Sequence, residues 1–366
     1  MEKIAVLGGG AGGLSCSADL SMVGHSVNLF ELPQFKAKHI DAIQKRGGIE
    51  VKGLIEGLAN LNLVTTNVKE AVKGVNIVLI VTPGYGTETL CKVLIPHLEE
   101  EQTVIFHGKG GHTLELVRIL KELGVKKKVT LGETHTLPYY TRLTGPGQVT
   151  IAGRLRILLS SAFPAKDNAK IVTTLKKLYP SNPPYKYKVI PGENVLAVTL
   201  CDLNAMGHPM YVIFNLSRVN SEKKDFHIYL EGAAPSITKV RDAIEKERLA
   251  VMQGFGLKPV PAGAMRYPTD QLTQAEKEWI ARFNEYVIVS STKERFITED
   301  VPYGLVTIAS LADMVGVQTP LIDAVINISS IINETDYWKE GRTTEKLGIS
   351  RLNLYELRKF LDEGEI

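Results

Sequence analysis

In the first half of the chain, short runs of β-branched and aliphatic residues alternate with stretches whose apolar positions recur every three or four residues. The first pattern reads as strand and the second as amphipathic helix. Strands are predicted at 3–7, 26–31, 61–65, 76–82, 102–106, 128–132 and 148–153. Several are apolar almost without a break, as in NIVLIV at 76–81. Strands covered by helices on both faces read that way. The alternation predicts an α/β, Rossmann-type, doubly wound parallel sheet.

Near Tyr179 the pattern changes. Pro180, Pro183 and Pro184 punctuate the chain, and such clusters mark a connection between units. One last strand is predicted at 187–190. Helical periodicity then dominates, with helices predicted at 193–220, 236–255, 273–283, 305–315, 320–332 and 350–360. The expected organisation is a dinucleotide-binding domain at 1–185 and an all-helical, substrate-binding domain at 186–366.

Composition removes several function classes. A net charge of +3 over 366 residues is too small for a nucleic-acid footprint. Three cysteines, Cys16, Cys91 and Cys201, lie far apart with no C-x-x-C spacing. They suggest neither a disulfide framework nor a zinc site. The sequence shows no secretory leader and no apolar run near the roughly 18 residues of a membrane span. A cytoplasmic protein with no metal and no membrane contact is expected. The apolar stretch at 324–333 reads as core, with a homodimer interface as the other reading.

The strongest chemical signal is Gly8-Gly9-Gly10-Ala11-Gly12-Gly13, directly after the strand KIAVL and before a helical pattern. Gly8, Gly10 and Gly13 satisfy G-x-G-x-x-G in the context that gives the motif meaning. Gly8 permits the turn, Gly10 lets backbone approach a pyrophosphate, and Gly13 lets helix pack on strand. Glu31 closes the second strand and suits the ribose hydroxyls of NAD. Lys36 and Lys38 nearby keep NADP as the alternative. Thr82 and Pro83, in the VTPG turn, are expected to floor the cofactor.

A hydride-transfer enzyme also needs an acid/base, and histidine is the side chain most easily poised near neutral pH. His208 is bracketed by Gly207 and Pro209, which predicts a helix interruption at an imidazole. Asn204 lies one turn earlier. In the segment KERFITEDVPYG, Arg295 offers a fork for a carboxylate and Asp300 a partner for an imidazole. Glu133 and Arg142, in GETHTLPYYTR, suit an amine and an anion respectively.

Taken together, ETxxLPYxxR at 133–142, NxxxHP at 204–209, YLEGAAPSITKVRDAIEKERLAV at 229–251 and RFITEDVPYGLV at 295–306 resemble the NAD/NADP octopine/nopaline (opine) dehydrogenase family. The similarity spans nearly the whole chain. It implies a Rossmann domain joined to a helical domain like that of 6-phosphogluconate dehydrogenase. It implies NAD(P)H-dependent reductive condensation of a 2-oxo acid, such as pyruvate, with the amino group of an amino acid or amine. On this resemblance His208 and Asp300 form the catalytic pair, Arg295 binds substrate and Glu133 binds the amine. FHGKGGH at 106–112 departs from the family pattern, and His107 and Lys109 there are expected to change the charge beside the nicotinamide. The rival readings are a simple 2-oxo acid/hydroxy acid dehydrogenase and a non-catalytic dinucleotide-sensing protein.

Overall fold

The computed structural model describes every residue except 36, 109, 156, 181–187, 266–271 and 366. Lys36, Lys109 and the predicted domain boundary lie outside the described residues. The strands are β1 (Lys3–Leu7), β2 (Ser26–Phe30), β3 (Ile49–Gly53), β4 (Gly57–Ala59), β5 (Leu63–Thr65), β6 (Ile77–Ile80), β7 (Thr103–His107), β8 (Thr130–Thr134), β9 (Tyr139–Gly145), β10 (Gln148–Arg154), β11 (Ile157–Phe163) and β12 (Lys188–Pro191). Eight of them form one sheet in the order β12-β11-β8-β7-β6-β1-β2-β5.

All neighbours in this sheet run parallel except β11, which is antiparallel to β8. The strand order reverses between β1 and β6, and there a crevice opens beyond the carboxyl ends of the strands. Alternate residues explain the unbroken apolar runs. Ala5 and Leu7 of β1 face one core, while Ile4 and Val6 face the other. Val78 and Ile80 of β6 share the first core, with Ile77 and Leu79 on the second.

Four short strands depart from the predicted pattern. β3, β4, β9 and β10 build a second sheet, in the order β4-β3-β10-β9. Only β10 of these was legible in advance. Gly53 and Gly57 interrupt the apolar alternation around β3 and β4, so periodicity alone reads that stretch as loop.

The helical half begins at Val195–Thr199. The predicted helix at 193–220 is broken into Val195–Thr199, His208–Ile213 and Leu216–Val219, with the predicted interruption at Gly207 and Pro209. Longer helices follow at Pro235–Gly254, Gln274–Tyr286, Val306–Met314 and Pro320–Asn333. The last of these buries Ile322, Val325, Ile326 and Ser329 but leaves Leu321, Ile328 and Ile331 exposed, so the stretch read as core has one wet face. The final helix, Leu354–Glu363, returns to the sheet domain. Its Phe360 packs edge-on against Phe163, with centroids 4.7 Å apart. No helix among the described residues is long and apolar enough to cross a membrane.

The two halves share a continuous apolar core that includes Leu7, Phe106, Leu196, Val306 and Phe360. A buried cation fastens them further. Arg342 has no solvent exposure and pairs with Glu115 at 2.7 Å. It also donates to the carbonyls of Gly84 (3.1 Å) and Gly110 (3.0 Å) and to Thr87 Oγ1 (2.9 Å). Its planar fork can serve several acceptors at once, which a lysine could not.

Removing one partner of such a pair strands a buried charge, at a cost of about 3–5 kcal/mol. Arg342→Leu is therefore expected to lower the denaturant midpoint markedly, and adding Glu115→Leu to restore much of it. An unchanged midpoint in the single variant would show that the pair is energetically inert.

Candidate active site

At the crevice, the glycine turn has the geometry a dinucleotide needs. A side chain on Gly13 would put its Cβ 1.7 Å from the Gly8 carbonyl oxygen, so only glycine lets the helix Ala11–Met22 sit this close. Gly8 has φ +126°, and its own Cβ would meet the Val81 carbonyl at 2.1 Å. Gly10 instead faces open space, with nothing within 4 Å of a Cβ. That open side, at a helix N-terminus, fits a pyrophosphate. Glu31 accepts from the N–H of Gly9 (2.7 Å) and of Leu32 (2.8 Å). A carboxylate has about four acceptor positions, which leaves capacity for ribose hydroxyls. Thr82 and Pro83 follow β6 beside this turn and are half-buried. These residues fit NAD or NADP.

Across the crevice, His208 opens its short helix with Pro209 behind it, where the missing proline N–H breaks no helical bond. Its own N–H donates to the Asn204 carbonyl at 2.9 Å. Asn204 thus meets His208 through its backbone carbonyl. Asp300 comes from a different element. After the short helix Arg295–Thr298 the chain widens by one residue per turn, with Asp300 N–H bonded to Arg295 O (3.2 Å) and Leu305 N–H to Asp300 O (3.1 Å). Pro302 lacks a donor within this turn, and such widened turns re-aim side chains at functional sites. Gly304 permits close packing, because a Cβ there would lie 2.5 Å from that of Ala205.

The result is a buried contact of 2.6 Å between His208 Nδ1 and Asp300 Oδ2. A carboxylate at Nδ1 fixes the proton there and leaves Nε2 as the reactive nitrogen. Phe296 stands edge-on to the imidazole, 4.9 Å between centroids. Tyr229, which sequence reasoning missed, places its hydroxyl 2.8 Å from His208 Nε2. Its signal lay in the YLEGAAPS motif, but tyrosine there is indistinguishable from core by pattern. Burial pushes the Tyr229 phenol up to about 12, against the pull of Arg295 and Arg142.

Those two guanidinium groups are close enough to feel each other's charge. Solvent reaches Arg295, although surrounding protein opposes its charge. Glu299, Asp300, Tyr229 and Tyr85 outweigh that burial and hold it above its usual value. Arg142 is half-buried, with its guanidinium 5.3 Å from the Phe283 ring centre. Burial, with Arg295 adding repulsion, lowers it to about 10. Two like charges held together in a cleft form a receptor for anions.

Glu133 is not brought to this cluster. It has no solvent exposure, and its carboxylate accepts from Thr113 N–H (2.8 Å) and the Thr199 hydroxyl (3.2 Å). Burial raises its pKa against those two bonds and Arg342. In this arrangement the carboxylate braces protein groups, and its amine-binding role stays an expectation of the resemblance.

His107 also departs from expectation. It is buried on the sheet, with Nε2 at 2.8 Å from the Tyr179 hydroxyl and Nδ1 at 3.3 Å from Thr134 Oγ1. Burial lowers it to about 3, so it stays neutral and brings no charge to the nicotinamide side.

Comparison with known proteins places this geometry. Residues 191–333 match the model of the NAD/NADP octopine/nopaline dehydrogenase alpha-helical domain, and residues 3–131 match the NAD-dependent glycerol-3-phosphate dehydrogenase N-terminus. The opine dehydrogenase of Arthrobacter sp. (strain 1C) is 33% identical over 99% of both chains. The chain belongs to the opine dehydrogenase family. Within this opine dehydrogenase family, the tauropine dehydrogenase of Arabella iricolor is 22% identical over 78% of each chain. The fold agrees with octopine dehydrogenase solved with NADH and pyruvate, at a TM-score of 0.73 and 16% identity over 100% of this chain and 99% of that one. Yersinopine dehydrogenase with NADP+ bound has a TM-score of 0.72 and 14% identity, covering 99% and 98%.

The buried histidines carry a pH prediction. His135, like His107, is lowered by burial, to about 4. Both rings take up protons near pH 6.5 when unfolded but resist them when folded. Their contribution to stability is therefore full above about pH 6.5 and is lost as pH falls toward 4. Unfolding midpoints measured across that window should drop with acidity, and His107→Gln should flatten the slope.

Proposed function

We propose that the protein is an NAD(P)H-dependent opine-type dehydrogenase that joins a 2-oxo acid to the amino group of an amino acid. One observation carries the reading. A buried His208–Asp300 pair lies beside Arg295, whose guanidinium is 5.8 Å from the centre of the Phe296 ring that flanks the imidazole, in a chain of this family. The relatives' substrates point the same way, since octopine dehydrogenase has been solved with NADH and pyruvate and with NADH and agmatine.

Each residue then has a task. Arg295 pairs with the carboxylate of the 2-oxo acid, and Arg142 offers a second cation for the carboxylate of the amino acid. The uncharged amine attacks the carbonyl carbon, and loss of water gives the imine. A dinucleotide held at the Gly8–Gly13 turn and by Glu31 would supply the hydride that reduces the imine. His208, oriented by Asp300, handles the proton at Nε2. Water balances the condensation, and one proton is consumed for each secondary amine formed. Glu31 favours NAD, because a carboxylate beside the ribose repels a 2′-phosphate. We place the protein in the cytoplasm, acting on small molecules.

NADH oxidation with pyruvate should require a mixed pool of L-amino acids, and splitting the pool identifies the partner. Turnover with the oxo acid alone would instead establish a hydroxy acid dehydrogenase. Tight NADH binding with no turnover on any acceptor would favour a sensor. His208→Ala is expected to lower kcat by about 10²–10⁴-fold, the range for a general acid/base. Arg295→Ala is expected to raise the KM of the oxo acid by about 10- to 100-fold, as loss of a charged hydrogen bond does.

A further inference from the structure

The reactive nitrogen of His208 is already occupied. Asp300 holds Nδ1 at 2.6 Å, and the Tyr229 hydroxyl stands 2.8 Å from Nε2. Phe296 covers an edge of the ring. A substrate atom meets Nε2 either by displacing Tyr229 or through its hydroxyl. The second route matches the charges. Arg295 lies beside this imidazole, its guanidinium 5.8 Å from the centre of the Phe296 ring, and the Tyr229 phenol feels its charge and that of Arg142. A phenol hydroxyl both donates and accepts, the property a relay requires. Its distance to Nε2 lies within the 2.6–3.2 Å range over which a positioned group moves a proton.

We propose that Tyr229 is a catalytic residue, through whose hydroxyl His208 exchanges its proton with the substrate. The proposal rests on the opine-type reading of the site. In the synthetic direction, the Nε2 proton of the imidazolium passes to the Tyr229 oxygen. The phenol's own proton moves in concert to the hydroxyl leaving the carbinolamine. The C–O bond breaks, water departs, and the nitrogen lone pair forms the C=N bond. Tyr229 returns to a neutral phenol and His208 to a neutral imidazole, so no phenolate accumulates. The two guanidinium groups stabilise the partial negative charge on the phenol oxygen during transfer. The reverse reaction runs the same chain backwards.

Tyr229→Phe tests this, because it keeps the ring and removes only the hydroxyl. The expected result is a kcat lower by about 10- to 1,000-fold, with both substrate KM values changed less than about threefold. Rates in H₂O/D₂O mixtures supply a reading that a structural role would not move. The wild type should give a curved proton inventory, from two protons in flight, and the variant a straight line, from one. Unchanged thermal midpoint and NADH affinity, the latter from nicotinamide fluorescence, confirm that the variant is folded and loaded. A variant within twofold of wild-type kcat overturns the proposal. So does a slower variant whose inventory keeps the wild-type curvature, since Tyr229 would then only position His208. The measurement uses whichever acceptor the wild type reduces. Amine-independent turnover would thus defeat the opine reading, while the same comparison still decides the relay on the alkoxide of a reduced oxo acid.

Discussion

The Arg342–Glu115 ion pair holds the active site in register. Its guanidinium starts in the helical half, and its acceptors lie at Gly84 and Gly110, in the loops after β6 and β7. Those loops border the dinucleotide crevice. The backbone N–H of Arg342 meanwhile donates to Pro302 O at 2.8 Å, inside the widened turn that aims Asp300. One residue thus spans the cofactor side and the acid/base side. The packing around it leaves little slack. A Cβ on Gly84 would lie 2.3 Å from the Tyr303 ring, and one on Gly110 would lie 2.2 Å from the Tyr303 carbonyl. Distances between catalytic groups and cofactor matter at the scale of an ångström, so a clamp at this point determines whether the chemistry works.

Around that clamp the site divides its labour by burial. His208 and Asp300 are almost fully enclosed, where a charged contact is strong and specific in geometry. Arg295 remains open to solvent at the mouth and can meet an incoming carboxylate. Tyr229 stands between the two, half-buried, with its ring in protein and its hydroxyl on the imidazole. The gradient runs from an exposed cation to an enclosed acid/base pair, and in the proposed reading a bound acid would neutralise the guanidinium charge.

Much of this was legible in the residue pattern. The Rossmann strands, the glycine turn and the helix break at Gly207 and Pro209 follow from local rules that the packing reinforces. Asp300 could be suggested as an imidazole partner, and family resemblance paired it with His208, but its approach depends on a turn widened over Arg295–Leu305, which periodicity does not register. Tyr229 was harder, because an aromatic residue looks like core until distant elements meet around it. Arg142 was legible as an anion site, but its nearness to Arg295 was not. Glu133 is the opposite case. Its motif was recognised, but the depth at which β8 carries it depends on Thr113 and Thr199, which the spacing does not reveal. The charge expected from His107 failed for a similar reason, since the fold buries its ring against Tyr179.

Glu31 adds a consequence for how ligand is captured. Its carboxylate already braces the backbone of Gly9 and of Leu32, so the phosphate loop is shaped without help from a nucleotide. The entropy of ordering that loop is met while the chain folds and is not subtracted from each docking event. Such a cradle behaves as a rigid mould. In the proposed reading, discrimination between nucleotides then falls to the acceptor positions that Glu31 keeps free, on a loop whose backbone is already ordered.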